Sequence, residues 1–121
     1  CDIDPMAEGV ARENARRNGI PEERFSAFTG DVLADRNLQE ALSFHPADLV
    51  LANIVADVIL ALLPAVRFWL KPGGVFLCSG ILKEREKEVM EALETTGFSL
   101  LETDSRDGWV CCAAKTREDP R

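Results

Sequence analysis

The chain has 121 residues and a formal net charge of −7, and 46% of its residues are hydrophobic, which suffices for the core of one small domain. This acidity, without any basic run, argues against a nucleic-acid-binding surface. Four cysteines without a Cys-x-x-Cys pair and a single histidine predict neither a zinc site nor a disulfide framework, which is typical of a cytoplasmic chain.

The first part of the chain predicts two helices and two short pieces of strand. Asp4 is a good N-cap residue and Pro5 a good first helical residue, while Gly19 is a good helix stop. The predicted elements are a strand tail at residues 1–3, a helix at 5–18, a strand at 25–29 and a short helix at 37–43.

The second part alternates apolar strands with helices. The predicted elements are strands at 47–52 and 75–79, helices at 54–70 and 82–96, a turn at 71–74, and closing strands at 98–103 and 109–115 joined by a loop at 104–108. Pro64 is expected to kink the first of these helices or to begin a second piece. Polar residues interrupt the apolar run 49–70, so a membrane-spanning helix is not expected. Cys111 and Cys112 should point to opposite faces of the last strand, as small core residues rather than reactive thiols.

This order of elements predicts an α/β fold. Alternating strands and helices favour a parallel sheet with helices on both faces, and the closing hairpin adds one antiparallel strand. We expect one domain over residues 1–115 and a flexible tail over 116–121.

Several motifs along the chain resemble those of one enzyme family. They are Asp2-Ile3-Asp4-Pro5, Gly30-Asp31, Ala52-Asn53-Ile54-Val55-Ala56-Asp57, Lys71-Pro72-Gly73-Gly74, Ser79-Gly80-Ile81-Leu82 and Trp109-Val110. In this combination the chain is similar to the C-terminal part of the catalytic domain of the enzymes that methylate ribosomal protein L11. The resemblance implies a Rossmann-like class I methyltransferase sheet and S-adenosylmethionine as cofactor.

The chain departs from that family in lacking the first strand with its Asp-x-Gly-x-Gly loop, and the N-terminal domain that grips the substrate. The family's strand order places this first strand beside residues 47–52, so we expect a bare sheet edge there, through which a homodimer could form. Without the glycine loop, we expect binding of S-adenosylmethionine to be weakened or lost.

The resemblance also implies roles for three polar residues at the carboxyl ends of strands, where ligands of open α/β sheets bind. Asp2 would accept hydrogen bonds from the ribose hydroxyls, and Asp31 would reach the adenine amino group. Asn53 would contact the cofactor and is the candidate catalytic residue, because its amide oxygen, or the adjacent backbone carbonyl, can accept the hydrogens of a substrate amine. The alternatives are a solvated strand-end carboxylate for Asp2, an ordinary turn residue for Asp31 and a helix N-cap for Asn53.

The predicted function is therefore that of a fragment of a protein N-methyltransferase, inactive on its own, in the cytoplasm. Its substrates would be lysine side chains and the N-terminal amine of a large-subunit ribosomal protein, with no metal, membrane or direct nucleic-acid partner. A glutamine or nucleic-acid amine methyltransferase is an alternative, although Asn53-Ile54-Val55-Ala56 departs from the Asn-Pro-Pro-Tyr usual there. A non-catalytic α/β module is another.

Overall fold

A computed structural model describes residues 1–117, which form two compact units, Cys1–Glu40 and residues 41–117. The elements in chain order are α1 (Pro5–Arg17), α2 (Arg36–Phe44), β1 (Ala47–Asn53), α3 (Ala56–Trp69), β2 (Leu70–Leu82), α4 (Glu86–Thr95), β3 (Phe98–Arg106) and β4 (Trp109–Thr116), with 3₁₀ turns at Glu22–Arg24 and Lys83–Arg85. The order of helices agrees with the sequence prediction. Helix α2 crosses the boundary between the two units.

Helix α1 of the first unit begins as the sequence predicts. The side chain of Asp4 accepts a hydrogen bond from the backbone N–H of Met6 at 2.9 Å, and Pro5 is the first helical residue. Two arginines in the last turn complement the negative end of the helix dipole. The chain leaves the helix through Gly19, whose φ of 72° is in the left-handed region.

The strands predicted at residues 1–3 and 25–29 are wrong as regular strands. Only a single parallel bridge between Asp2 and Thr29 forms. The N–H of Asp2 donates to the carbonyl of Phe28 at 3.1 Å, and the carbonyl of Asp2 accepts from Gly30 at 2.9 Å. The carbonyl of Ala27 accepts instead from the guanidinium of Arg12, at 2.8 Å. With this carbonyl bound by a side chain, the pairing does not extend into a ladder.

The second unit contains a four-stranded sheet in the order β1-β2-β4-β3. Strands β1 and β2 pair in parallel, while β4 runs antiparallel to both β2 and β3. Strand β3 therefore has the same direction as β1 and β2, and the prediction of one antiparallel strand in an otherwise parallel set is confirmed. Strand β1 lies at one edge of this sheet, as expected.

Helices α3 and α4 contact each other and the sheet, and in the described part of this unit both lie on one face rather than on opposite faces. Both crossovers, β1-α3-β2 and β2-α4-β3, move the same way across the sheet, and right-handed crossovers then place both helices on the same face. Residues of the sheet buried on that covered face are Phe76, Cys78, Phe98, Val110, Cys112 and Ala114. On the other face, here called the open face, the side chains of Leu49 and Leu51 are 50% and 66% exposed.

The turn predicted at residues 71–74 lies inside β2 as an irregularity of its pairing with β1. Ala47 pairs with Leu70 but Leu49 pairs with Val75, so one residue of β1 faces a longer loop of β2. Gly73 takes a φ of 78° there, and its N–H donates to the hydroxyl of Thr116 at 2.9 Å. Thr116, predicted as the start of the tail, therefore belongs to β4. Residues 118–121 of the predicted tail lie outside the described residues.

The closing hairpin turns over two residues rather than the predicted five. Asp107 and Gly108 both have positive φ, 53° and 84°, which is the geometry of a type I′ turn. The polar residues before them continue β3, because an exposed edge strand accepts polar side chains.

Helix α3 continues through Pro64 as a single element, so the prediction of a second piece is wrong. In the described part of the chain, no helix combines the length and the apolar character needed to cross a bilayer.

Candidate functional site

Backbone hydrogen bonds place Asp2 and Asp31 close together in the first unit. The two bonds between Asp2 and the segment of Phe28 and Gly30 fix Asp2 beside that segment. Asp31 follows Gly30 directly. The backbones of these two residues are thus near each other in the fold, although 29 positions separate them in the chain.

Each of these carboxylates is oriented by a local hydrogen bond to one of its oxygens. Oδ1 of Asp2 accepts from the N–H of Asp4 at 2.9 Å, and Oδ1 of Asp31 accepts from the N–H of Leu33 at 3.0 Å. Within residues 1–117 no protein group hydrogen-bonds to Oδ2 of either residue, and both side chains are exposed. Such acceptors fit the hydroxyls of a ribose and the amino group of a purine, which are hydrogen-bond donors.

Asn53 belongs to the second unit and is the last residue of β1. It pairs with Ser79 of β2, and the hydroxyl of Ser79 donates to Oδ1 of Asn53 at 3.2 Å. The alternative of Asn53 as helix N-cap is wrong, because Val55 occupies the N-cap position of α3 and Ala56 begins the helix. The side chain of Asn53 therefore has no helix-capping role.

Gly80 brings a bare Cα against the polar end of β1. A Cβ at this position would lie 2.9 Å from Oδ1 of Asn53 and 3.1 Å from the carbonyl oxygen of Ile54, and Gly80 has a φ of 83°. Both reasons require glycine here. Two acceptor oxygens, one from a side chain and one from the backbone, thus face the same small space beside Gly80.

Sequence reasoning missed the partner of Asp57, the last residue of the fourth-strand motif. Arg85 donates to Oδ1 of Asp57 at 2.7 Å and to Oε1 of Glu88 at 2.8 Å. The hydrogen bonds to Glu88 and then to Asp57 raise the pKa of the Arg85 guanidinium above its usual range. Asp57 accordingly links the start of α3 to the residue before α4, and no local sequence signal marks a pair so distant in the chain.

Within the described ranges, no group of three or more histidine, cysteine, aspartate or glutamate side chains is arranged to hold an ion. The chemistry of these residues is that of hydrogen-bond acceptors.

Comparison with known families adds a match over nearly the whole chain. The family model described as "Ribosomal protein L11 methyltransferase (PrmA)" matches residues 1–117. A ribosomal protein L11 methyltransferase from Pelotomaculum thermopropionicum is 43% identical over 117 residues, covering 96% of this chain and 35% of that protein. One from Brucella suis is 38% identical and covers 94% of this chain and 39% of that protein. The chain thus spans little more than a third of the length of these relatives.

Solved structures agree with this match. A ribosomal protein L11 methylase from Lactobacillus delbrueckii subsp. bulgaricus superimposes with a TM-score of 0.81 at 26% identity, covering 97% of this chain and 56% of that one. An RNA methyltransferase from Salinibacter ruber, solved in complex with S-adenosyl-L-homocysteine, has a TM-score of 0.68 at 18% identity, covering 98% of this chain and 65% of that one. The second likeness concerns the fold alone.

Proposed function

Because the chain belongs to the ribosomal protein L11 methyltransferase family, we propose that it is part of the catalytic domain of an enzyme that methylates amino groups of that ribosomal protein. The methyl donor is S-adenosylmethionine, and the acceptors are lysine side chains and the N-terminal amine. The observation that carries the proposal is the family match over residues 1–117, together with the two acceptor oxygens beside Gly80.

Asn53 and Ile54 perform the part of the reaction that concerns the acceptor amine. An amine must present a neutral lone pair, and ordinary pKa values of about 8 for an α-amine and about 10.4 for lysine mean that a proton has to leave first or during transfer. Oδ1 of Asn53 and the carbonyl of Ile54 accept the remaining N–H hydrogens and so direct the lone pair. Both oxygens are neutral, so the residues contribute alignment rather than proton removal.

Asp2 and Asp31 bind the adenosine part of the cofactor. S-adenosylmethionine supplies a methyl group already activated on its sulfonium, so the protein's task is to hold and orient it. The free Oδ2 of Asp2 accepts from the ribose hydroxyls, and that of Asp31 from the adenine amino group. The sequence contains no Gly-x-Gly loop, and we propose that this chain by itself binds the cofactor weakly and is inactive.

The proposed substrate also implies a location in the cytoplasm, where ribosomal proteins occur. Free thiols and the absence of disulfides among the four cysteines agree with that location. The net charge of −7 suits an encounter with a basic protein better than direct contact with nucleic acid.

Self-association through β1 is a separate proposal. This edge strand presents Leu49 and Leu51 with one acidic residue, Asp48, whereas the opposite edge, β3, carries Glu102, Asp104 and Arg106. Charged side chains protect an edge from pairing, so β1 is the edge open to a second copy.

Calorimetry tests the cofactor proposal. S-adenosylhomocysteine is titrated into this chain and into a form extended upstream through its reading frame. We expect binding by the extended form and little or none by the chain alone. Asp2→Asn should weaken binding, while Asp104→Asn, which removes an exposed carboxylate from β3, should not. Absence of binding by both forms would leave a non-catalytic α/β module as the better account.

Methyl transfer to ribosomal protein L11 tests the role of Asn53 in the extended form. We expect Asn53→Ala to lower kcat by about 100-fold, as loss of an aligning hydrogen-bond group does. Asn37→Ala, at an exposed position of α2, serves as the matched control. Equal activity of the two variants would contradict the role of Asn53.

A further inference from the structure

We infer that Ser79 is a positioning residue that holds the amide of Asn53 with its oxygen beside Gly80. The consequence for methyl transfer depends on the function proposed above, whereas the positioning itself does not. Ser79 is not proposed to touch the acceptor amine or the cofactor. It acts through Asn53.

The register of the sheet brings the two side chains together. Asn53 and Ser79 are paired across the parallel strands β1 and β2, so their side chains leave the sheet on the same face. In the observed arrangement the hydroxyl of Ser79 donates to Oδ1 of Asn53, at 3.2 Å. An amide oxygen has two lone pairs, so one stays available for the N–H of a substrate amine.

Gly80 also determines where the amide of Asn53 can lie. Any side chain at this position would come within 2.9 Å of Oδ1 of Asn53 and displace the amide from the Ser79 hydroxyl. The hydroxyl of Ser79 attracts the amide oxygen and the missing side chain of Gly80 leaves room for it. The adjacent pair Ser79-Gly80 thus sets both the direction and the place of Oδ1.

Such a restraint matters because Asn53 is exposed at the end of an edge strand. Without a partner, its two side-chain torsions would populate several rotamers, and the amide could turn its NH₂ toward an amine that needs an acceptor. A hydrogen bond made before the substrate binds already holds the side chain of Asn53 in one rotamer, so binding does not have to restrict it. This is the general advantage of preorganisation. Ser79 itself is half-buried, and the only hydrogen bond of its hydroxyl that the structure shows within residues 1–117 is the one to Asn53.

Nuclear magnetic resonance of this chain tests the positioning. The side-chain NH₂ signals of Asn53 are identified by their absence in Asn53→Asp. In Ser79→Ala we expect these signals to move toward the shifts of free asparagine and to show greater side-chain mobility. In Ser79→Thr, which keeps the hydroxyl, they should stay close to the wild-type values, and Ser99→Ala on β3 should leave them unchanged. Backbone signals of β1 and β2 report whether each variant folds.

Unchanged Asn53 signals in folded Ser79→Ala would overturn the inference. If Ser79→Ala does not fold, Ser79→Cys provides the weaker donor, and Asn53 signals identical to wild type there would overturn it equally. In methyl transfer by the extended form, we expect Ser79→Ala to lower kcat about 10-fold with KM unchanged, and Ser79→Thr to restore it. If Asn53→Ala leaves transfer intact while the resonance shifts still occur, the proposed function fails and the positioning stands.

Discussion

Cys78 of β2 and Cys112 of β4 lie directly opposite each other across an antiparallel pair, with their sulfur atoms 3.0 Å apart. Both side chains are buried on the covered face, whereas Cys111, one position away, points to the other face and is partly exposed. The hydrogen bond to Cys112 and the burial of the thiol raise the pKa of Cys78 far above its usual range. The thiol of Cys78 is therefore protonated at neutral pH.

Thiol reactivity should follow this arrangement. At pH 8 in the native state, we expect iodoacetamide to modify exposed Cys1 quickly and Cys111 more slowly, because burial raises the pKa of Cys111. Cys78 and Cys112 should react only after unfolding in guanidinium chloride. Peptide mass spectrometry of timed samples measures all four rates. Rapid labelling of Cys112 in the folded chain would contradict the buried pair.

The raised pKa of Cys78 also predicts a dependence of stability on pH. The unfolded thiol ionises above about pH 8.5, while the folded thiol keeps its proton, so the unfolded state binds fewer protons there. The contribution of Cys78 is complete below about pH 8.5 and decreases above it by up to ~1.4 kcal/mol per pH unit. Urea unfolding between about pH 7.5 and about pH 9.5 checks this, a range of about one unit either side of the ordinary thiol pKa.

The matched variant for that experiment is Cys78→Val, which keeps an apolar side chain at the same place. Its stability should decrease less steeply between neutral and alkaline pH than that of the wild type. Parallel curves for the two proteins would show that Cys78 ionises equally in the folded and unfolded states.

Gly80→Ala should destabilise the second unit by about 2–3 kcal/mol. A φ of 83° alone costs a non-glycine residue about 1–2 kcal/mol, and the new Cβ would also press on the carbonyl of Ile54. Gly108→Ala is the control, because Gly108 has a φ of 84° with no atom within 4 Å of the added Cβ. Urea unfolding of both variants separates steric contact from backbone strain. Equal losses would mean that the close approach at Gly80 carries no cost.

Leu51→Lys should reduce self-association without loss of stability. The side chain of Leu51 is 66% exposed on edge strand β1, and a lysine there discourages pairing with a second copy. Leu101→Lys on the opposite edge, where the side chain is 56% exposed, should change nothing. Sedimentation velocity over a range of concentrations gives the association state. A wild-type chain that stays monomeric throughout would refute pairing through β1.

The sequence alone predicted the elements whose signals are local. The N-cap Asp4, the apolar run of β1 and the amphipathic helix α4 each have a pattern contained within one segment, and each is present. Residues 25–29 also have strand-like composition, but strand formation depends on a partner, and Asp2 offers only one bridge. The polar residues before Asp107 looked like a loop, since an exposed edge strand has no apolar alternation to reveal it.

Some features of the candidate site could likewise be predicted from local sequence, and others could not. The strand-end position of Asn53 could be predicted, because an amide after an apolar run is visible in the sequence, whereas the strands expected beside Asp2 and Asp31 form only a single bridge. The contact between Asn53 and Ser79 could not be predicted, since it depends on the register between two strands that are 26 positions apart at this point. Likewise, only the fold shows that Asp57 belongs with Arg85.

We expect the two-residue turn at Asp107-Gly108 to let β3 and β4 pair earlier in folding than β1 and β2. The hairpin pairs residues that are close in the chain, and such contacts form in microseconds. The parallel strands β1 and β2 are separated by the whole of α3, so their pairing closes a longer loop and is slower. A chain that starts from the hairpin builds its sheet from the C-terminal side toward β1. A defect in the turn would then slow folding, while a defect in β1 would mainly hasten unfolding.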